Sequence, residues 1–238
     1  MDANIKILIN DDGTVRYPLK TGIYSSHNLI LRNISQRGGK SILDLGCGTG
    51  MLAAALIQPN RTILGIELDK SDANEAKGRG IEVITGNVEE AIGLTSARKF
   101  DVVIAADILE HLANPRNLLE NFPDLLSDPT GYAVISIPNV ANLTVRIQLL
   151  FGKFNYTSRG ILDNTHLRFY TKASLTKLLL ESGLEIIDYE FSSMPIEMIA
   201  EGRIPSTLSN LLQHILRIAT RIFPTILGYQ SIVIVRGK

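Results

Sequence analysis

Asp44, Gly46, Gly48, Gly50 and Glu67 are the residues whose types and spacing carry chemistry in this chain. Ser41-Ile42-Leu43-Asp44-Leu45 reads as a buried strand. The glycines after it let the backbone turn tightly and approach a ligand where a Cβ would collide. The next apolar run, Thr62-Ile63-Leu64-Gly65-Ile66, ends in Glu67. An acidic residue about 20 positions after such a loop accepts ribose hydroxyls, so loop and acid together read as a nucleoside binder. The dinucleotide fingerprint would need a glycine at 51; Met51 stands there, which disfavours NAD.

Elements must hold these residues in place, and the apolar pattern supplies them. Strands near 41–45, 62–67, 81–85, 100–105 and 132–137 alternate with helical stretches, the pattern of an α/β, doubly wound parallel sheet whose ligand sits beyond the carboxyl ends of the strands. Apolar runs at 184–189 and 231–235 supply a sixth and a seventh strand. Ahead of the core, residues 4–18 carry two β-prone pieces around Asp11-Asp12-Gly13, which predicts a hairpin. A helix is predicted over 26–35 from Leu29, Ile30, Leu31 and Ile34. The expectation is one domain over 1–238: a hairpin and helix lid (1–36), a cofactor-binding core (37–138), an acceptor-side insertion and helix (139–183), and C-terminal strands (184–238). Residues 207–223 form an amphipathic helix: Leu208, Leu211, Leu212, Ile215, Leu216, Ala219, Ile222 and Phe223 share one stripe, opposite Asn210, Gln213, His214, Arg217, Thr220 and Arg221. Such a stripe packs on the core or caps the active site; a weak membrane-surface or dimer contact is the alternative.

With 238 residues, 45% of them hydrophobic, the chain can bury one large core. Its formal net charge of zero gives no broad footprint for nucleic acid. The single cysteine, Cys47, excludes an intrachain disulfide, and no signal peptide or membrane span is visible, so a cytoplasmic location is expected. Cys47 itself reads as a small packing residue in the loop.

Leu43-Asp44-Leu45-Gly46-Cys47-Gly48-Thr49-Gly50 resembles motif I of the class I S-adenosylmethionine-dependent methyltransferases. Further landmarks match in order: Gly65-Ile66-Glu67, Gly86-Asn87-Val88, Phe100-Asp101-Val102-Val103-Ile104, and Asp107-Ile108-Leu109-Glu110-His111-Leu112. The resemblance implies a Rossmann-like methyltransferase fold, seven-stranded and mostly parallel, with one antiparallel strand near the edge, the last strand being inserted beside the fifth. It also implies the cofactor contacts: Glu67 on the ribose hydroxyls, Leu68 over one adenine face, Asn87 and the Val88 amide at the adenine edge, and Asp44 orienting the methionine end. Gly46, Cys47 and Gly48 line its path, and the backbone near Ala105 and the side chain of Asp107 close the other side. Asp44 could instead cap amides of the loop, and Asp107 could be an N-cap for the turn after it.

On the acceptor side, His111 is the first candidate general base, since imidazole titrates near neutrality, though a structural role is equally open. The stretch from Asn139 through Asn155-Tyr156 to Asp163-Asn164-Thr165-His166-Leu167-Arg168-Phe169-Tyr170 resembles a bacterial branch associated with glycan assembly, related more distantly to ubiquinone-biosynthesis methyltransferases. That resemblance makes Asp163 and His166 candidate catalytic residues, and Tyr24, Asn139, Arg168 and Tyr170 candidate substrate contacts. Asp163, His166 and His111 also have the look of metal ligands, but a metal needs three or four converging groups, and none is expected. The function expected is methyl transfer from S-adenosylmethionine, leaving S-adenosylhomocysteine, to a small-molecule acceptor, with a sugar or glycan hydroxyl first. N- or C-methylation of a quinol or amino sugar, or a non-catalytic cofactor-binding partner of a glycan-assembly complex, are the alternatives.

Overall fold

The computed structural model describes residues 24–95, 97–127, 129–196 and 205–238, with the backbone of 8–9 and 15–16. Two short strands, β1 (Leu8–Ile9) and β2 (Val15–Arg16), pair antiparallel with Ile9 opposite Val15, as a hairpin requires. The Asp11-Asp12-Gly13 turn between them lies outside the described residues.

The remaining strands are β3 (Ser41–Leu45), β4 (Thr62–Glu67), β5 (Glu82–Thr85), β6 (Val102–Ala106), β7 (Tyr132–Pro138), β8 (Leu184–Phe191) and β9 (Gln230–Gly237). They form one sheet in the order β5-β4-β3-β6-β7-β9-β8. Parallel pairing runs from β5 to β7; β9 is antiparallel to both of its neighbours, one place in from the edge. The order reverses at β3, so a crevice opens between the carboxyl ends of β3 and β6, the place where this architecture binds ligands.

Burial explains why the central strands read as continuous apolar runs: β7 is buried from Tyr132 through Ile137, with layers on both faces. One layer contains Leu43, Leu45, Val103, Phe122 and Leu175. The other contains Ile42, Ile104 and Val134 under helix α1 (Ser26–Arg37), whose Leu29, Ile30 and Ile34 have no exposed surface. Fully burying each such side chain contributes about 1.5–3 kcal/mol. Ser25 caps α1 by accepting from Asn28 N, and Gly38 ends it at φ 83°, where a Cβ would be strained. Helix α2 (Lys172–Glu181) opens on a reciprocal capping box between Thr171 and Ser174.

The helix α3 (Ser206–Ile222) departs from its most direct sequence reading. Its buried face is polar: Ser209, Arg217 and Thr220 are buried, Gln213 bonds Ser193 Oγ at 2.8 Å, and Arg217 donates to Phe191 O at 2.6 Å. The apolar stripe expected to pack on the core faces outward instead, Ile215 being 52% exposed and Ile222 64%.

Candidate functional site

The glycine loop joins β3 to the chain leading into β4. Gly46, Gly48 and Gly50 all take positive φ (66°, 53° and 75°), which the alternating glycines allow. A Cβ on Gly46 would lie 2.5 Å from Ile108 Cδ1, so the turn after β6 packs directly on the loop. By contrast, nothing lies within 4 Å of where a Cβ of Gly48 would be, and the loop faces open space there.

Glu67 organises this loop. Its Oε2 accepts from Gly48 N at 2.8 Å and its Oε1 from Asp69 N at 2.8 Å. Gly46 N and Cys47 N donate to Ile66 O. These bonds occupy the loop amides that Asp44 was alternatively expected to cap. Asp44 lies between Gly65 and Ile104 in the sheet, 2% exposed, with Oδ2 lacking a hydrogen-bond partner among the described residues. Burial, then the neighbouring Glu67 carboxylate, push its pKa up to about 7. A buried carboxylate with an idle oxygen at the edge of an open crevice suits a cationic ligand group.

The other expected cofactor residues fall into place unevenly. Leu68 is 68% exposed beside Glu67, free to cover a flat ring. Asn87 caps the turn Val88–Ala91 through a bond from Glu89 N at 2.9 Å, leaving its amide nitrogen on an exposed side chain; the Val88 side chain is buried in the core, so only its amide faces outward use. The Cys47 thiol is packing: it sits among Ala53, Ala76 and Ile81, against the position a Gly65 Cβ would need, and burial raises its pKa far above the ordinary thiol range. Ala105 is drawn into the sheet between Leu45 and Ile135, its methyl in the core, so the backbone reaches the crevice only at Ala106 and Asp107.

Asp107 is not an N-cap, for Ile108 holds that position without a side-chain bond. It is a non-glycine residue at φ 53°. Its N donates to Ser136 O at 3.0 Å, and its Oδ1 accepts from Ser136 Oγ at 2.7 Å and Gln230 Nε2 at 2.6 Å. Ser136 and Gln230 thus pin the strained turn from β7 and β9. Nothing local marks them in the sequence, since Gln230 lies 123 residues from its partner.

The turn then presents Glu110 and His111 to the segment 161–168. Glu110 is 1% exposed and its main-chain carbonyl accepts from Leu167 N and Arg168 N. His111 is exposed, with Nδ1 3.2 Å from Thr165 O; a carbonyl only accepts, so Nδ1 carries the proton and Nε2 is left for chemistry. Behind it stands buried His166, ring centroids 4.9 Å apart and edge-on. His166 donates from Nδ1 to Ile161 O at 3.1 Å, and its Nε2 lies 4.0 Å from Glu110 Oε1. Burial, then His111, lower its pKa, so it is neutral at pH 7. Ligand-type atoms of Glu110, His111 and His166 lie within 4.8 Å of one another. Of the three residues with the look of metal ligands, His111 and His166 come together, with Glu110 rather than Asp163 beside them.

Several acceptor-side candidates serve the scaffold. Asp163 Oδ1 accepts from Thr165 N and Oγ1, an Asx turn, and joins His166 through main chain. Asn139, 1% exposed, donates to Thr225 O and Gly228 O and accepts from Ala141 N. Tyr170 belongs to the core, Arg168 donates to Ala113 O, and Tyr24 stacks under the Arg217 guanidinium. What the sequence reading missed is an aromatic group beside His166: Phe154 and Phe169, centroids 5.6 Å apart, with Tyr156 5.6 Å from Phe154. A cavity of about 480 Å³ lies elsewhere, along β8, and is lined by paired charges such as Arg32 and Glu190.

Residues 24–189 match the model of a methyltransferase domain. A ubiquinone biosynthesis O-methyltransferase of Coxiella burnetii is 27% identical over 157 residues, covering 63% of this chain and 65% of the relative, so the match spans just under two thirds of that protein. Among solved structures, magnesium protoporphyrin IX methyltransferase of Synechocystis PCC 6803, with bound SAH, superposes with a TM-score of 0.61 at 14% identity, covering 92% of this chain and 85% of that one. N-methyltransferase NodS of Bradyrhizobium japonicum WM9, also with SAH, gives 0.59 at 17% identity over 96% and 93%. Those two likenesses speak for the fold, and the domain match for descent: the chain belongs to the class I S-adenosylmethionine-dependent methyltransferases.

Proposed function

We propose that this protein transfers a methyl group from S-adenosylmethionine to a hydroxyl oxygen on the ring of a small-molecule acceptor, an aromatic diol or quinol being favoured over a sugar. The cofactor supplies an electrophilic methyl on a sulfonium. Holding it falls to Glu67, whose carboxylate retains lone pairs for ribose hydroxyls after accepting from Gly48 N and Asp69 N. Asp44 meets the cationic end, Leu68 covers the base, and Asn87 with the Val88 amide reads the adenine edge.

The observation that carries the reading is His111: exposed, oriented by Thr165 O, and set on the turn whose Ile108 packs against the glycine loop. Nε2 would take the acceptor's hydroxyl proton. Neutral His166 and buried Glu110 stand behind it, where a carboxylate favours the imidazolium that results. Placing the acceptor in line accounts for most of the acceleration, about 7–11 kcal/mol in oriented reactions, and a general base adds about 10²–10⁴-fold.

One observation favours an aromatic acceptor and a second favours oxygen. Asn139, Asp163 and Arg168, the polar side chains suited to a polyhydroxylated ligand, already bond protein groups, while Phe169 stands beside His166, with Phe154 and Tyr156 against Phe169. Curated relatives that match include ubiquinone biosynthesis O-methyltransferases, which favours oxygen as the atom methylated. Incubating the purified protein with S-adenosylmethionine and a panel of catechols, quinols and nucleotide sugars, and scoring S-adenosylhomocysteine release together with product mass, tests this. One methyl added to an aromatic hydroxyl is the expected result. Methyl on a sugar would restore the glycan reading, and cofactor binding without turnover on any member would favour a non-catalytic role.

A further inference from the structure

The inverted helix α3 calls for an occupant on its outer face. We propose that this face docks the protein on the surface of an anionic lipid bilayer, the helix lying in the plane of the interface. Its inner side is fixed by polar bonds: Gln213 to Ser193 Oγ and Ile196 N, Arg217 to Phe191 O and Glu190. Rotation to bury the apolar side would break all of them. The outer side presents Leu208, Leu211, Leu212, Ile215, Ile218 and Ile222, each at least 38% exposed. Isolated exposed apolar residues are ordinary, but a contiguous stripe of this kind marks a binding surface.

A second element also exposes apolar side chains. Helix α4 (Leu143–Leu150) and the residues after it expose Leu149, Leu150 and Phe151, Leu150 to 80%. Asn142, which caps this helix, donates to Leu227 O and Gly228 O, and Asn139 to Thr225 O. The start of this second helix is thereby tied to the chain that follows α3.

Charge selects the partner. Residues 202–238 contain no Asp or Glu, and neither do residues 129–162. Both segments carry exposed cations: Arg221 on α3, at the rim of the cavity that Asp188 and Glu190 also line, Arg146 on the second helix, and Lys153 and Arg159 after it. A second copy docked on this face would set these cations against their own counterparts with no acid in either segment to pair with them. An anionic headgroup layer neutralises them, each Lys or Arg near such a surface being attracted. A 17-residue helix is about 25 Å long and lies in the interface, while Phe223 and Phe151 suit the headgroup boundary. No helix among the described residues is long and apolar enough to cross a membrane.

Flotation of the full chain with vesicles tests the proposal, using phosphatidylcholine alone and phosphatidylcholine mixed with phosphatidylglycerol. Binding is expected to the mixed vesicles and to be at least about ten-fold weaker without phosphatidylglycerol. The double substitution Leu211→Glu and Ile215→Glu should weaken binding at least about ten-fold with cofactor affinity unchanged, because both side chains face outward. Arg221→Gln should weaken it about five-fold. Should the double variant fold poorly, Leu150→Glu on the second helix carries the same expectation. Failure to float with mixed vesicles, or flotation indifferent to these substitutions, overturns the proposal. So does a dimer in sedimentation velocity that the double substitution dissociates while vesicles recruit neither form.

Discussion

At the glycine loop, the polar groups that matter are either idle or hold the loop open: Asp44 Oδ2 has no partner among the described residues, and Glu67 uses two bonds to shape the very backbone it borders. Beyond β7 the situation is reversed. Asn139, Asp163 and Arg168 turn their polar atoms onto backbone or hydroxyl partners and build the wall of a site. A half that is preorganised for one invariant ligand differs from a half that must be reshaped for each acceptor. On the acceptor side the surface we propose as reactive narrows to His111, its two buried neighbours and an aromatic group.

The largest expected effect tests that narrowing. His111→Ala should lower kcat by about 10²–10⁴-fold, the range for loss of a general base, with the dissociation constant for S-adenosylmethionine unchanged. Steady-state kinetics with calorimetry separate the two. Full turnover in the variant would return His111 to a structural role and leave the acceptor half without a base.

This contrast also governs what could be read from sequence. Glycines forced into positive φ, and an acid at fixed distance after them, are local demands of a tight turn on a nucleoside, so the loop and Glu67 were legible. The sheet followed from apolar runs whose burial on both faces leaves no other reading. Asp163, Asn139 and Tyr170 have the composition of a binding site, but whether a side chain faces ligand or loop depends on neighbours far along the chain; Gly228 lies 89 residues from Asn139. Likewise the stripe of α3 was visible, while its orientation was decided by Gln213 and Arg217 meeting Ser193 and Phe191. Amphipathicity defines two faces and does not say which is inward.

Asp44 provides the next test, of whether the cofactor half is poised for a cation. Its pKa in the folded chain is raised from 3.8 to about 7. Between those values the folded protein holds a proton that the unfolded chain has released. Stability from this group is therefore full below pH 3.8 and is lost as pH rises through about 7, amounting at most to about 4 kcal/mol. Thermal melts of the cofactor-free protein should fall across that window, and Asp44→Asn should flatten the fall. S-adenosylmethionine, bringing positive charge, should bind more tightly as pH rises through about 7 and release a proton, measurable by calorimetry in buffers of different ionisation enthalpy. Affinity independent of pH there would mean that the cationic end lies away from Asp44.

The smallest effect sharpens the other half. Asn139 satisfies the carbonyls of Thr225 and Gly228 and the amide of Ala141 from a fully buried position. Asn139→Ala leaves those groups without that partner, a cost of about 2 kcal/mol, which for a chain of this size lowers Tm by about 4–8 °C. Because the side chain points into the protein, KM for the acceptor should not change. A scaffold residue moves the melting temperature and leaves KM alone; a substrate contact does the opposite. If KM rises while Tm holds, Asn139 turns toward the acceptor when the site is filled, and the acceptor half is remade by its ligand rather than built in advance.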